Sequence, residues 1–163
     1  MKFVKILFIS FFALLGVACN PDNGNTNGGQ TSNGSWSNEG SPIGEWSLTK
    51  WNNSTDLPFG VYIRFNEDNT FDMYQHTYTV LWVHYTGTFS LNGTTLSGVY
   101  SDGEKWASDY TIAYMESPKQ IRLTKKSDSN DEGIYSATTI PVEVTDESTE
   151  AVNVRSVAVE RFL

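Results

Sequence analysis

The sequence predicts an all-β domain, an eight-stranded antiparallel up-and-down barrel, with a β-sandwich as the alternative. Three observations lead there. From Ile43 onward the chain breaks into short stretches rich in Trp, Tyr, Phe, Val, Ile and Thr, side chains that pack well on a pleated surface. Clusters of Asn, Asp, Gly and Ser separate them, and no long apolar stripe at helical spacing intervenes. Consecutive strands with short connections pair most simply with their neighbours, and closing such a sheet removes its exposed edges. Alternation alone fits a Greek-key sandwich equally well.

The strands are expected near 44–51, 60–66, 69–76, 79–91, 94–101, 106–115, 119–125 and 133–139. Asn66-Glu67-Asp68-Asn69 divides two aromatic runs, Asn92-Gly93 is a strong hairpin signal, and Ser117-Pro118 interrupts another pair. Alternation selects one face as core: Val61, Ile63 and Phe65; Phe71 and Met73; Phe89 and Leu91; Tyr110, Ile112 and Tyr114; Ile121 and Leu123. Ile140-Pro141 stops the last strand, and residues 141–163 form a tail over a barrel opening or an extra strand.

Before the domain, Lys2 and Lys5 precede an apolar run from Ile6 to Ala18. That run is shorter than the ~20 residues a spanning helix needs, so residues 1–18 read as a signal peptide. Gly16 and Ala18 directly before Cys19 resemble the lipobox of bacterial lipoproteins. The resemblance implies cleavage before Cys19, lipid on its sulfur, and a location in the bacterial cell envelope, anchored to the outer membrane. Loss of residues 1–18 removes two lysines and takes the net charge from −8 to −10. Residues 19–42 supply the lipidated cysteine and an Asn/Gly/Ser tether that cannot repay its ordering entropy, a reach of about 25 Å for a flexible chain.

Gly44-Glu45-Trp46 at the first strand looks like the Gly-x-Trp signature of lipocalins. The pieces Phe65-Asn-Glu-Asp-Asn-Thr-Phe71 and Tyr85-Thr-Gly-Thr-Phe-Ser-Leu-Asn-Gly-Thr-Thr-Leu96 resemble the small lipocalin-like domains of bacterial envelope lipoproteins. The likeness covers residues 43 to about 140. It implies an eight-stranded barrel with a ligand cavity at one end, and it puts Gly44 and Trp46 at the closed end as a structural signature. It also implies an arginine against that tryptophan, for which Arg122, Arg155 and Arg161 are candidates.

The acidic balance opposes a phosphate backbone, so no nucleic-acid partner is expected. One cysteine allows no internal disulfide, zinc knuckle or redox pair. His76 and His84 lack metal-ligand spacing, no Gly-x-Ser-x-Gly elbow occurs, and the carboxylate neighbours Asp102/Glu104 and Asp131/Glu132 fall in turns. Asp128 opens a stretch resembling a calcium loop, but Thr139 stands where a bidentate Glu is required. No metal, no cofactor and no enzymatic activity are therefore expected. What remains is the aromatic content, with Tyr74, Tyr78, Trp82, Tyr85, Trp106 and Tyr110 as candidate ligand contacts. The expectation is a non-catalytic, membrane-anchored protein holding a small apolar or amphipathic ligand in its barrel. The alternatives are a glycan-binding module stacking sugars on Trp51, Trp82 and Trp106, and a protein-interaction lipoprotein.

Overall fold

The computed structural model describes residues 34–77, 81–150 and 160–163. Eight antiparallel strands form a closed barrel: β1 (Gly44–Trp51), β2 (Gly60–Phe65), β3 (Thr70–His76), β4 (Val83–Asn92), β5 (Thr95–Tyr100), β6 (Tyr110–Glu116), β7 (Lys119–Lys125) and β8 (Glu132–Ala137). Each pairs with its sequence neighbours, and β8 returns to β1 to close the ring. A short helix α1 (Val142–Asp146) and a two-residue strand β9 (Thr149–Glu150) follow. β9 lies parallel to β4 at Val83 and His84. The barrel, not the sandwich, is the architecture.

The connections follow from their residues. The β4–β5 hairpin turns through Gly93 and Thr94, with Asn92 paired to Thr95 and Gly93 at φ +60°. Glycine thus takes the first central position, which costs a Cβ-free residue nothing. Asn69 adopts φ +65° in the β2–β3 turn, where asparagine tolerates the left-handed region.

Alternation places Trp46, Leu48, Val61, Ile63, Phe65, Phe71, Met73, Tyr85, Phe89, Leu96, Tyr100, Tyr110, Ile112, Ile121, Leu123 and Tyr135 in one buried cluster. Leu91, expected in it, is 38% exposed. The β3–β4 ladder ends at Thr70↔Thr88, followed only by a 2.9 Å hydrogen bond from the Phe89 amide to the Asn69 carbonyl, so residues 90–92 pair only with β5 and the hairpin tip leaves the barrel wall.

Two strand boundaries also differ from the sequence reading. The expected strand 79–91 begins at Val83 in the structure, and residues 78–80, with Tyr78, lie outside the described residues. The expected strand 106–115 begins at Tyr110. Residues before it fold back on β5 instead: Lys105 bridges Val99, and the Trp106 amide donates to the Gly98 carbonyl at 3.0 Å. Regular β5–β6 pairing covers only Thr95↔Thr111 and Leu96↔Tyr110, so this return covers the part of β5 that β6 does not reach.

One irregularity in β1 re-aims a side chain. Leu48 pairs with Tyr135 and Lys50 with Ile134, leaving Thr49 as the extra residue of a β-bulge. The bulge reverses the alternation, so Trp51 rather than Lys50 joins the core side. Ahead of the barrel, Ser37 exchanges two 2.8 Å backbone hydrogen bonds with Tyr114, so residues 34–42, part of the stretch that composition reads as tether, run beside β6.

Candidate functional site

The register defines two barrel ends. At one, β1 begins, β2 ends and β3 begins, and there Trp46 is buried with its indole N–H donating to the Pro42 carbonyl at 2.7 Å. The cation over its ring is Lys119, with Nζ 5.7 Å from the centroid. Arg122 instead covers Trp36 at 4.7 Å and Arg161 covers Tyr100 at 4.3 Å; Arg155 lies outside the described residues. Lys119 occupies the position because the β6–β7 hairpin brings the start of β7 to this end, whereas Arg122 lies further along β7 toward Glu132, 3.6 Å away.

The candidate aromatics run from the barrel interior toward the other end, with Trp106 reaching back to Phe65, the last residue of β2, at 6.5 Å. Tyr85, Trp106 and Tyr110 line the interior together with Tyr100 and Phe71. Trp106 meets Phe71 edge-on at 5.2 Å and Tyr110 at 6.0 Å, and Tyr100 meets Phe71 at 5.6 Å and Tyr85 at 5.7 Å. Trp106 is only 5% exposed, and its indole N–H has no hydrogen-bond partner among the described residues. A buried, unpaired donor forfeits about 1–3 kcal/mol. Burial pushes the hydroxyls of Tyr85, Tyr100 and Tyr110 upward, so all three stay neutral donors well above neutral pH.

Toward the rim, Trp51, Phe59 and Phe162 form a three-ring cluster, with centroids 5.5–5.9 Å apart. The Trp51 indole N–H donates to Asp131 at 3.0 Å. Gln75 is fully buried on the inward face of β3. Its side-chain NH2 donates to the Glu160 carbonyl at 2.8 Å, and its oxygen accepts from the Phe162 amide at 3.0 Å. The Tyr100 hydroxyl donates to the Leu163 backbone oxygen at 2.8 Å, and Arg161 pairs in bidentate fashion with Asp102.

Tyr74 and Trp82 sit elsewhere. Phe71 and Met73 point inward on β3, so Tyr74 points outward, where Ile140 and Val144 bury it. Trp82 lies 5.5 Å from Tyr62 in the same outer cluster. Here Tyr74 stacks on His84 at 4.4 Å with 4° between the rings, and His84 hydrogen-bonds Asp72 at 2.9 Å. Arg64 links Asp72 to Glu45, and the second Glu45 oxygen accepts from the Ile140 amide at 2.7 Å. That hydrogen bond from His84, with one from Asn66 and the charge of Arg64, holds the Asp72 carboxyl below its ordinary range despite burial. The network spans four strands and fastens the segment after β8 to the barrel wall.

The structure thus brings together Tyr85, Trp106 and Tyr110 of the sequence candidates, and adds Gln75, Tyr100, Phe59, Arg161 and Phe162, which sequence reasoning passed over as ligand contacts. Gln75 carried a signal: it stands in the 71, 73, 75 register of an apolar face, where a polar side chain calls for a partner. The others carried none. Among the described residues no group of His, Cys, Asp and Glu could hold a metal ion, and Cys19 lies outside them.

No curated protein and no solved structure matches the chain. The family model of the lipocalin-like domain matches residues 43–123, from Ile43 just ahead of the Gly44-Glu45-Trp46 opening into β7. With the closed up-and-down barrel and the tryptophan buried at one end, the conclusion is that this chain carries a lipocalin-like domain.

Proposed function

We propose that the protein is a lipid-anchored, non-catalytic binding protein of the bacterial cell envelope, whose barrel takes a small apolar or amphipathic molecule. The observation that carries the ligand reading is the Trp106 indole N–H, buried among aromatic rings without an acceptor. A ligand with an apolar body and one acceptor oxygen suits such a wall, since few polar groups in an apolar surround fix orientation. The same burial argues against a glycan platform at Trp106, because sugar stacking needs an open ring face. The anchoring half rests on Lys2, Lys5, the apolar run and the small residues before Cys19.

The test is native mass spectrometry of the protein purified from its own envelope, followed by organic extraction. The expected result is one class of co-purifying molecule, diminished in Trp106→Phe. A clean apo mass with no uptake of an apolar fluorescent dye would overturn the ligand reading. Incorporation of labelled fatty acid that disappears in Cys19→Ser checks the anchor, and unlabelled wild type would overturn it.

A further inference from the structure

The barrel end opposite Trp46 is filled by Glu160–Leu163, and the manner of filling is specific. Segments integral to a sheet are held by backbone ladders, as β9 is held on β4. Residues 160–163 instead receive side-chain hydrogen bonds on their backbone: two from the Gln75 amide, one as donor and one as acceptor, and one from the Tyr100 hydroxyl. These three bonds read a peptide backbone and not its side chains. Each side chain then meets its own partners. Arg161 lies over Tyr100 at 4.3 Å and Tyr85 at 5.4 Å and pairs with Asp102. Phe162 enters the Trp51 and Phe59 cluster, and Leu163 is 1% exposed within the core.

We propose that this end of the barrel is a binding site for a peptide segment of arginine–aromatic–aliphatic chemistry, with Arg161-Phe162-Leu163 as its built-in occupant, so that an external peptide of that chemistry competes with it. The inference deepens the binding-protein reading and rests on it: an occupant held by side-chain contacts can exchange without unpicking the sheet. An intramolecular ligand acts at an effective concentration of order millimolar. External peptide therefore binds weakly until the occupant is loosened.

The experiment titrates acetyl-Glu-Arg-Phe-Leu-amide into the full chain by calorimetry. In Arg161→Ala/Phe162→Ala, with a cooperative melt confirming the fold, the peptide is expected to bind at least tenfold more tightly than to wild type. Adding Gln75→Met should weaken it at least tenfold. A folded double variant that does not bind, or equal affinity for wild type and variant, overturns the proposal. Should the variant fail to fold, hydrogen exchange of the wild-type Phe162 amide decides. Exchange at least tenfold faster than the slowest core amides supports an exchangeable occupant, and exchange only with global unfolding overturns it. A peptide that fails while a small molecule co-purifies defeats this inference and leaves the ligand reading standing. A peptide that binds while no small molecule is found does the reverse.

Discussion

The Tyr100 hydroxyl donates to the Leu163 backbone oxygen across 2.8 Å inside the barrel, tying the end of β5 to a residue 63 positions later in the chain. Desolvation pushes that hydroxyl well above the ordinary tyrosine range, so it stays a donor throughout the physiological pH span. Tyr100→Phe keeps the ring contacts with Phe71 and Tyr85 but orphans a buried acceptor. The expected loss is about 1–2 kcal/mol, read as a lower urea midpoint with unchanged slope, together with faster exchange of the Phe162 amide.

Acid should weaken the outer wall through Asp72. Its carboxyl is held below the usual range chiefly by the hydrogen bond from His84. A depressed native value means the unfolded chain binds the proton more readily. The contribution is therefore full above the ordinary carboxylate value of about 4 and is lost as pH falls through the lower native value. Asp72→Asn is expected to cost about 1 kcal/mol at pH 7 and to flatten the decline of melting temperature below about pH 4. An equally steep decline in the variant would count against this assignment.

Gly98 and Gly93 separate two glycine requirements. A Cβ on Gly98 would lie 2.2 Å from Cε2 of the buried Trp106, so Gly98→Ala must displace the ring, at about 1–3 kcal/mol. A Cβ on Gly93 meets nothing within 4 Å, but φ is +60°, so Gly93→Ala costs about 1 kcal/mol through the backbone alone. Only the Gly98 change should alter the near-ultraviolet circular dichroism of the tryptophans.

At the closed end, Trp46 and its cation should differ sharply in weight. Trp46 is 1% exposed, and Trp46→Ala is expected to cost about 3–5 kcal/mol. Lys119→Ala removes a charge 5.7 Å from the ring and should cost about 0.5–1 kcal/mol. Thermal denaturation of the two variants gives the comparison.

Much of the barrel was legible before any coordinates. Runs of branched and aromatic residues separated by Asn/Gly and Asn/Asp clusters located eight strands, all but the starts of β4 and β6 close to their observed limits, because period-two burial is a local property of the chain. The same period named Ile63, Phe65, Phe71, Met73, Ile112 and Leu123 as core. It misjudged Leu91, since alternation does not reveal where a neighbouring strand stops. Of the candidate site, Tyr85 and Tyr110 were legible as aromatics in strands and Trp106 as an aromatic beside one, but the face each would take was not. Tyr74 shows why: an aromatic off the apolar register faces outward, yet α1 and its flank bury it as deeply as a core residue.

The sequence by itself determined the strand count, the hairpin order, the burial face of most strands and the Gly44-x-Trp46 opening, because each follows from side-chain alternation and turn chemistry over a few residues. Tertiary structure alone decided two things, beyond choosing the expected closed barrel over the sandwich. The bulge at Thr49 turned Trp51 to the core, and Glu160–Leu163 came to lie on Gln75 and Tyr100. Gln75 and Glu160 are 85 positions apart, and contacts at such separation depend on how a closed sheet staggers its strands, a property of the whole ring that no short stretch of sequence encodes.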